Sequence, residues 1–289
     1  MPTKNPLRYP GAKSKLVPYI QTLLENEHLQ NCTFYEAYAG SAAVSFGLLE
    51  NNVIQKAKIN ELDPLIYNFW YAAMNRTDEL IYLINNTDIT VENWIEFAKY
   101  RDTNYLHNKT PVQIGFAGLF LNRTNFSGIL KANPLGGLKQ KSSYKIDCRF
   151  NKQRIIESIQ KLSTYSSKVE LFNLDAITFL KQETYYKRNR TFFVYIDPPY
   201  YEKGSSLYRY YYENHMHYQL AQYIKVKSYP WLISYDDSPE IKKMYKARTL
   251  QQIYLDYSVN TKRKEKELLI SNLEIPPLEN TNFVEQLIG

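Results

Sequence analysis

The chain has no stretch near the roughly 18 uninterrupted apolar residues that crossing a bilayer takes, so no membrane partner is expected. Its N-terminus, MPTKNPLRYPGAK, lacks a signal-like apolar run, and a cytoplasmic location is the expectation. Cysteine is scarce. Cys32 and Cys148 form neither a metal pattern nor a framework of bridges and read as reduced thiols. His215 and His217 lack a third ligand at suitable spacing, so no metal site is expected. There is no internal repeat. Nor is there a G-x-G-x-x-G loop: the turn after the first strand pattern holds one glycine, which disfavours NAD or FAD.

What is present is globular. At 289 residues, 44% hydrophobic and 22% charged, the chain can hold one large α/β domain, alone or with a smaller insertion. Thirty-six basic against 29 acidic residues give +7 and a pI near 9.0, which suits a polyanionic partner without requiring one. The 27 tyrosines and 13 phenylalanines either stack on bases or fill a core and a wet surface, so composition leaves function open.

The N-terminal third alternates. "CTFYEAY" (32–38) reads as a strand, "AGSAA" as a tight turn, "VSFGLLEN" as a helix, "AKIN" (57–60) as a second strand, and "PLIYNFWYAAMN" (64–75) as a helix opened by Pro64. This βαβ spacing predicts a parallel sheet. Residues 77–107 carry helical patterns, and the glycine- and asparagine-punctuated 118–145 reads as part of an inserted module with exposed loops. A helix over 151–163 leads back to strands at 169–174 and 191–196. The second of these is a continuous apolar run, as in a central parallel strand covered on both faces. Strands are also expected at 229–235 and 267–272. "KRKEK" (262–266) reads as a solvated hairpin tip.

Two places carry chemistry. In "FYEAYAGSAAV" (34–44) small residues let a backbone approach a ligand, and the following helix offers its N-terminal amides. Glu61, 21 positions after Gly40 at the next strand's end, is placed to bond ribose hydroxyls. A nucleoside cofactor without phosphates, such as S-adenosylmethionine, fits that pairing; so does a tight turn with an incidental glutamate. In "VYIDPPYYEKG" (194–204) the strand delivers Asp197 to the sheet's carboxyl edge, and Pro198 and Pro199 remove two backbone donors. The resulting cluster of acceptors suits an exocyclic amine, whose lone pair is freed for attack on a methyl group when both its hydrogens are held. Tyr200 is expected to offer a stacking face, and a base inside a duplex reaches such a pocket only by flipping out.

Several segments resemble, in order, the D12 class of DNA adenine-N6 methyltransferases, the group of the Dam methylases. "LRYPGAKSKLVPYI" (7–20) resembles the N-terminal motif, which implies cofactor contacts from Tyr9 and Lys13. "EAYAGSAAV" resembles E-P-F-x-G-x-G-x-V, implying a cofactor pocket with Glu36, Tyr38 and Gly40, and "NELDPLIYNFW" is similar to the segment that makes Glu61 the ribose acid. "LFLNRTNFSGIL" (119–130) resembles the L-N-R stretch of the target-recognition domain, implying DNA contacts from Arg123, Asn125, Phe126 and Ser127. "DPPYY" resembles the catalytic motif, implying Asp197, Pro198, Pro199 and Tyr200. Ala37, Ala12, Ala42 and Glu61 depart from the family's usual proline, glycines and aspartate, and the differences at 124, 125 and 127 leave the recognition sequence open.

The resemblance implies a Rossmann-like α/β S-adenosylmethionine-dependent methyltransferase sheet from 1–75 and 150–289, with a mostly helical target-recognition domain inserted over 76–149. It implies methylation of adenine N6 on a flipped base in double-stranded DNA, by a monomer or weak dimer, with a separately encoded cognate restriction endonuclease as a further partner. Two assignments stay two-sided: Asp175 contacts the cofactor or caps a helix, and Arg123 binds DNA or is structural. The rivals are N4-cytosine methylation, RNA or protein-amide methylation, and an inactive DNA-binding relative. The tyrosine cluster at 207–218 has no assigned role.

Overall fold

A computed structural model describes residues 4–9, 11–185, 191–246, 248–258 and 262–276, with the backbone alone over 249–258 and 262–266. The strands are β1 (Thr33–Glu36), β2 (Lys56–Asn60), β3 (Val169–Phe172), β4 (Phe192–Ile196), β5 (Trp231–Asp236), β6 (Thr249–Ser258) and β7 (Lys262–Ser271). They form one sheet in the order β3-β2-β1-β4-β5-β7-β6. β1 to β5 run parallel, whereas β7 is antiparallel to β5 and β6 to β7. The winding direction reverses between β1 and β4, and the crevice opened there at the strands' carboxyl ends is where open α/β sheets bind ligands.

Central β4 is buried along its whole length, and its side chains alternate between two cores. Phe193 and Tyr195 join Phe34, Ile59 and Leu232 on one face; Phe192, Val194 and Ile196 join Tyr35, Ile233 and Ile270 on the other. The first face is covered by α1 (Val17–Asn26), α2 (Ala43–Glu50), α3 (Pro64–Asn75), α4 (Thr77–Asn86), α5 (Val91–Ala98), α6 (Pro111–Thr124) and α7 (Lys152–Ser163). The second face carries α8 (Ala176–Thr184), α10 (Asn214–Lys225) and α11 (Pro239–Met244); the short α9 (Gly204–Leu207) follows the Asp-Pro-Pro-Tyr loop.

Three expectations change. Residues 118–124, read as punctuated loop, are the C-terminal half of α6, which opens with a capping box between Thr110 and Gln113. Its glycines are there for contact: a Cβ on Gly118 would sit 2.3 Å from the Leu65 carbonyl oxygen, and one on Gly115 equally close to that of Asn68. α6 lies backbone to backbone on α3, and Trp94, Phe116 and Phe120 share the core under the sheet. β6 is a strand that the sequence reading passed over, and 262–266 begins β7, its side chains lying outside the described ones. Among the described residues no helix is long and apolar enough to cross a membrane.

Gly118→Ala is expected to lower stability by about 2 kcal/mol through overpacking against α3, read as a fall in urea midpoint at unchanged m-value. A midpoint equal to wild type would show that the two helices can separate without cost.

Candidate functional site

The turn after β1 is built around buried acids. Glu36, the last residue of β1, accepts from the Ser45 amide at 3.1 Å and from the Ser45 hydroxyl, and so meets the N-terminal turn of α2. Burial pushes its carboxyl up to about 8. Gly40, at φ +48°, is fixed on three sides. Its amide donates to Glu61 Oε2 at 2.8 Å, its carbonyl accepts from the Trp70 indole at 2.9 Å, and a Cβ there would lie 2.6 Å from a ring carbon of Tyr9. Only glycine lets the Tyr9 ring come this close to the backbone.

At the end of β2, Asn60 laces the carboxyl edge together: its amide donates to the carbonyls of Ala37 and Leu174 and its oxygen accepts from the Leu174 amide. Glu61 follows, and its Oε1 accepts from the Asp63 amide at 2.8 Å. Burial first, and the Asp63 charge second, raise its carboxyl to about 7. Asp63 caps α3 through the Leu65 amide and pairs with Arg209 at 2.8 Å.

Asp197, next after β4, is gripped from one side only. Oδ1 accepts from the Ser234 hydroxyl at 2.7 Å and lies 3.1 Å from Lys13 Nζ, while no described residue donates to Oδ2. Burial raises its carboxyl above the usual range, opposed by Lys13. Lys13 also sits 3.3 Å from Glu267 Oε1 and donates to the Gly11 carbonyl at 2.9 Å; the Tyr200 hydroxyl donates to the same Glu267 oxygen at 2.9 Å. Beyond the prolines the amides of Tyr201 and Glu202 both donate to Asp236 at the end of β5, which fixes the loop's exit.

Of these groups Tyr9, Lys13, Glu36, Gly40, Asn60, Glu61 and Asp197 border one cavity of about 940 Å³ including its mouth. Its floor is the carboxyl edge. Its roof is the tyrosine loop, with Tyr208, Tyr210, Tyr211 and Tyr212 all facing it. Tyr208 stacks with Tyr9 at 6.0 Å between centroids and 27° between planes, and the Tyr38 hydroxyl donates to that of Tyr212 at 2.6 Å.

The structure thus brings Tyr9, Lys13, Glu36, Tyr38, Gly40, Glu61, Asp197 and Pro199 to one cavity. Asp175 caps α8 through the amides of Ile177 and Thr178, with its second oxygen 3.5 Å from the Tyr212 hydroxyl; it is the neighbouring Ala176 that borders the cavity. Pro198 is buried beside these groups.

Two residues sit away from their expected roles, and Arg123 takes up the structural side of its two readings. Tyr200 does not present a stacking face: it is 5% exposed, with its ring beneath Gly11 and its hydroxyl held between Glu267 and Lys13. Asn125 cannot touch DNA, since it is fully buried, accepting from the Trp94 indole and donating to the carbonyls of Ile129 and Leu130. Arg123 is spent on carbonyls of Pro6, Asn5 and Arg149, so it braces the segment leading to Tyr9. Phe126 is 46% exposed, and the neighbouring Ser127 sits in the left-handed region at φ +55°.

Sequence reasoning missed Ser234, Asp236, Glu267 and Arg209. Asp236 had a signal, an acid ending a strand as Asp197 does. Glu267 is a charge opening an otherwise apolar strand run, and only pairing with β5 discloses that it is buried. Among the described residues no group of three or more His, Cys, Asp or Glu is arranged to hold a metal.

A family model described as D12 class N6 adenine-specific DNA methyltransferase matches residues 9–264. Among solved structures, the chain is similar to a candidate RNA methyltransferase from Pyrococcus horikoshii at 9% identity and a TM-score of 0.39, over 92% of this chain and 85% of that one. It is similar to a candidate methylase from Haemophilus influenzae at 14% identity and a TM-score of 0.36, over 88% of this chain and 89% of that one. Both likenesses are distant. No curated protein matches the chain by sequence.

Because the Glu36 carboxyl is raised to about 8, the folded state holds its proton more tightly than the unfolded chain, and that stabilisation is lost as pH rises through 8. Glu36→Gln keeps the acceptor for Ser45 without the titration. Its melting temperature relative to wild type should therefore climb between about pH 5 and 8 and level off above; a difference independent of pH would remove the buried-acid account.

Proposed function

The chain belongs to the D12 class of N6 adenine-specific DNA methyltransferases, and from that premise we propose that the cavity takes S-adenosylmethionine and that Asp197 grips the target amine beside it. The cavity's chemistry fits this donor. A single-glycine turn without a phosphate cradle, a ring lying on Gly40 and a buried acid at the end of β2 suit a nucleoside that carries no phosphate. S-adenosylmethionine supplies an electrophilic methyl group on a sulfonium.

In this reading Glu61 accepts from the ribose hydroxyls, Tyr9 lies against the nucleoside over Gly40, and Glu36, Tyr38 and Lys13 border the remainder. Asp175 acts through Tyr212 and Ala176, shaping the wall next to α8. Asp197 Oδ2 and the Pro198 carbonyl take the two amine hydrogens of the flipped adenine. Lys13 and Ser234 keep Oδ1 turned inward, so the carboxylate presents one oxygen in a fixed direction. Holding both hydrogens frees the nitrogen lone pair; one amine proton leaves after transfer, to Asp197 or water. The prolines leave no competing N–H at the grip. The observation that carries the reading is Asp197's one-sided anchoring at the rim shared with Glu61 and Gly40.

We extend the proposal to duplex DNA as substrate, to 76–149 as the recognition module on a catalytic unit of 1–75 and 150–289, and to a monomer or weak dimer. A separately encoded endonuclease blocked by the same methylation is the partner. Phe126 and Ser127 remain its DNA contacts. The basic run from Lys131 to Arg154, with one acid, Asp147, among seven lysines and arginines, carries the phosphate charge.

Asp197→Ala should lower transfer of labelled methyl to DNA by about a thousandfold or more, in line with loss of a positioned acceptor, while circular dichroism stays native. Undiminished turnover would sink the mechanism. Glu61→Ala should weaken S-adenosylhomocysteine binding by roughly 10- to 100-fold, about 1.5–3 kcal/mol for bonds to a charged acceptor, measured by calorimetry. An unchanged affinity would end the ribose assignment.

A further inference from the structure

The tyrosine loop over the cavity is fastened by a residue that neither the catalytic motif nor the cofactor reading uses. Arg209 lies largely buried, its side chain 10% exposed. Nη1 donates to Asp63 Oδ1 at 2.8 Å and Nη2 to the Arg101 carbonyl at 2.6 Å. Asp63 in turn donates its amide to Glu61 Oε1, and the other Glu61 oxygen takes the Gly40 amide, each at 2.8 Å. An unbroken series of hydrogen bonds therefore runs from the loop after the catalytic motif to the turn that floors the cavity. On its other side the same guanidinium reaches the inserted segment, where Arg101 donates to the Ala132 carbonyl at 2.7 Å and lies over the Trp94 ring.

The charges follow the same path. Arg209 is the cation facing Asp63, and Asp63 is the charge that most disfavours ionisation of Glu61. Among the described residues Glu36, Tyr9 and Tyr210 also interact with Glu61, and none of these is cationic. Without Arg209 the Asp63 charge would act on Glu61 unopposed, and the loop would lose its bonds to Asp63 and to the Arg101 carbonyl.

We propose that Arg209 is a positioning residue for methyl transfer, fastening the tyrosine loop over the cavity and holding Asp63 and Glu61 in the arrangement that receives the methyl donor. The proposal rests on the reading of Glu61 as the acid of the donor site. It makes the loop's arginine, and not its tyrosines alone, the determinant of donor affinity. It also joins that affinity to the inserted segment through the Arg101 carbonyl.

The test uses the full chain and S-adenosylhomocysteine as probe, with calorimetry between about pH 6 and 9, steady-state methyl transfer, and amide hydrogen exchange over 207–212. Arg209→Ala should raise the probe's dissociation constant about tenfold or more, raise KM for the donor similarly, and lower kcat at saturation less than about threefold. The pH below which affinity falls should move upward from about 7, and exchange in the loop should quicken. Arg209→Lys keeps the charge opposite Asp63 but not the two-sided bond, so it should restore the pH profile while exchange stays fast. Wild-type affinity and exchange in Arg209→Ala, or a loss of kcat with donor affinity unchanged, would overturn the proposal. If Arg209→Ala does not fold, Arg209→Lys decides alone: wild-type exchange overturns the latch and faster exchange supports it. Glu61→Gln separates the two readings. Unchanged affinity there defeats the Glu61 assignment, whereas weakened affinity there with none lost in Arg209→Ala defeats only the latch.

Discussion

A carboxylate that leaves water must find donors or a cation, or else give up its charge, and the carboxyl edge of this sheet gathers several of them. Each is met differently. Glu36 leans on the first turn of α2, Glu61 on two backbone amides, Asp63 on a helix N-terminus and Arg209, and Asp197 on Lys13 and Ser234. Those solutions dictate much of the surrounding structure. Gly40 must turn so that its amide reaches Glu61. Lys13 must reach the sheet edge so that an ammonium meets Asp197. The loop after the catalytic motif must fold back so that Arg209 meets Asp63. The antiparallel β7 closes the arrangement, since Glu267 at its register with Asp236 holds Lys13 and Tyr200 from below.

Where side-chain pattern and backbone demand coincide, the sequence was sufficient. α3 spans Pro64–Asn75 as its proline start and apolar rows require, and β4 is the buried strand that its unbroken apolar run announces. Glycine was the first source of error. In 118–145 it was read as loop punctuation, whereas Gly118 serves close contact between α3 and α6; both uses look alike until the partner helix is in place. Polar motif residues were the second. Asn125 and Arg123 sit in a stretch that resembles a recognition motif, yet they spend their donors on this chain's own carbonyls. Nothing local to a sequence tells whether an amide or guanidinium will meet a ligand or a backbone turn. Glu267 and Arg209 were out of reach for a third reason: their partners lie far away in the chain, at Lys13 and Asp63.

The departures from the family's motifs also have a physical reading. Ala42 stands where glycine is usual and still takes the left-handed conformation, φ +49° and ψ 28°, at the N-cap of α2. For a residue with a Cβ this costs about 1 kcal/mol, and the turn holds it because Glu36, Gly40 and Asn60 fix the chain on both sides. At Gly40 no such substitution is open, because the Tyr9 ring occupies the space. Of the motif's glycines, the sequence keeps the one that contact demands and gives up the one that only torsion prefers.

The distribution of cations bears on what the cavity can hold. Lys13 is committed to Asp197 and Glu267, and Arg209 to Asp63, so neither serves Glu36 or Glu61. Those two acids have only neutral donors among the described residues, and burial holds them near 8 and 7. Near neutral pH each carries a proton part of the time. A cation brought near them favours their ionised forms, so on the proposed reading a sulfonium donor gains a Coulombic term over its thioether product, beyond the ribose bond to Glu61 that the two share. Attraction is then strongest before the methyl group leaves and falls away once it has gone. Two buried acids without cations would be an expense in a purely structural turn; on the proposed reading they favour the charged donor over its product.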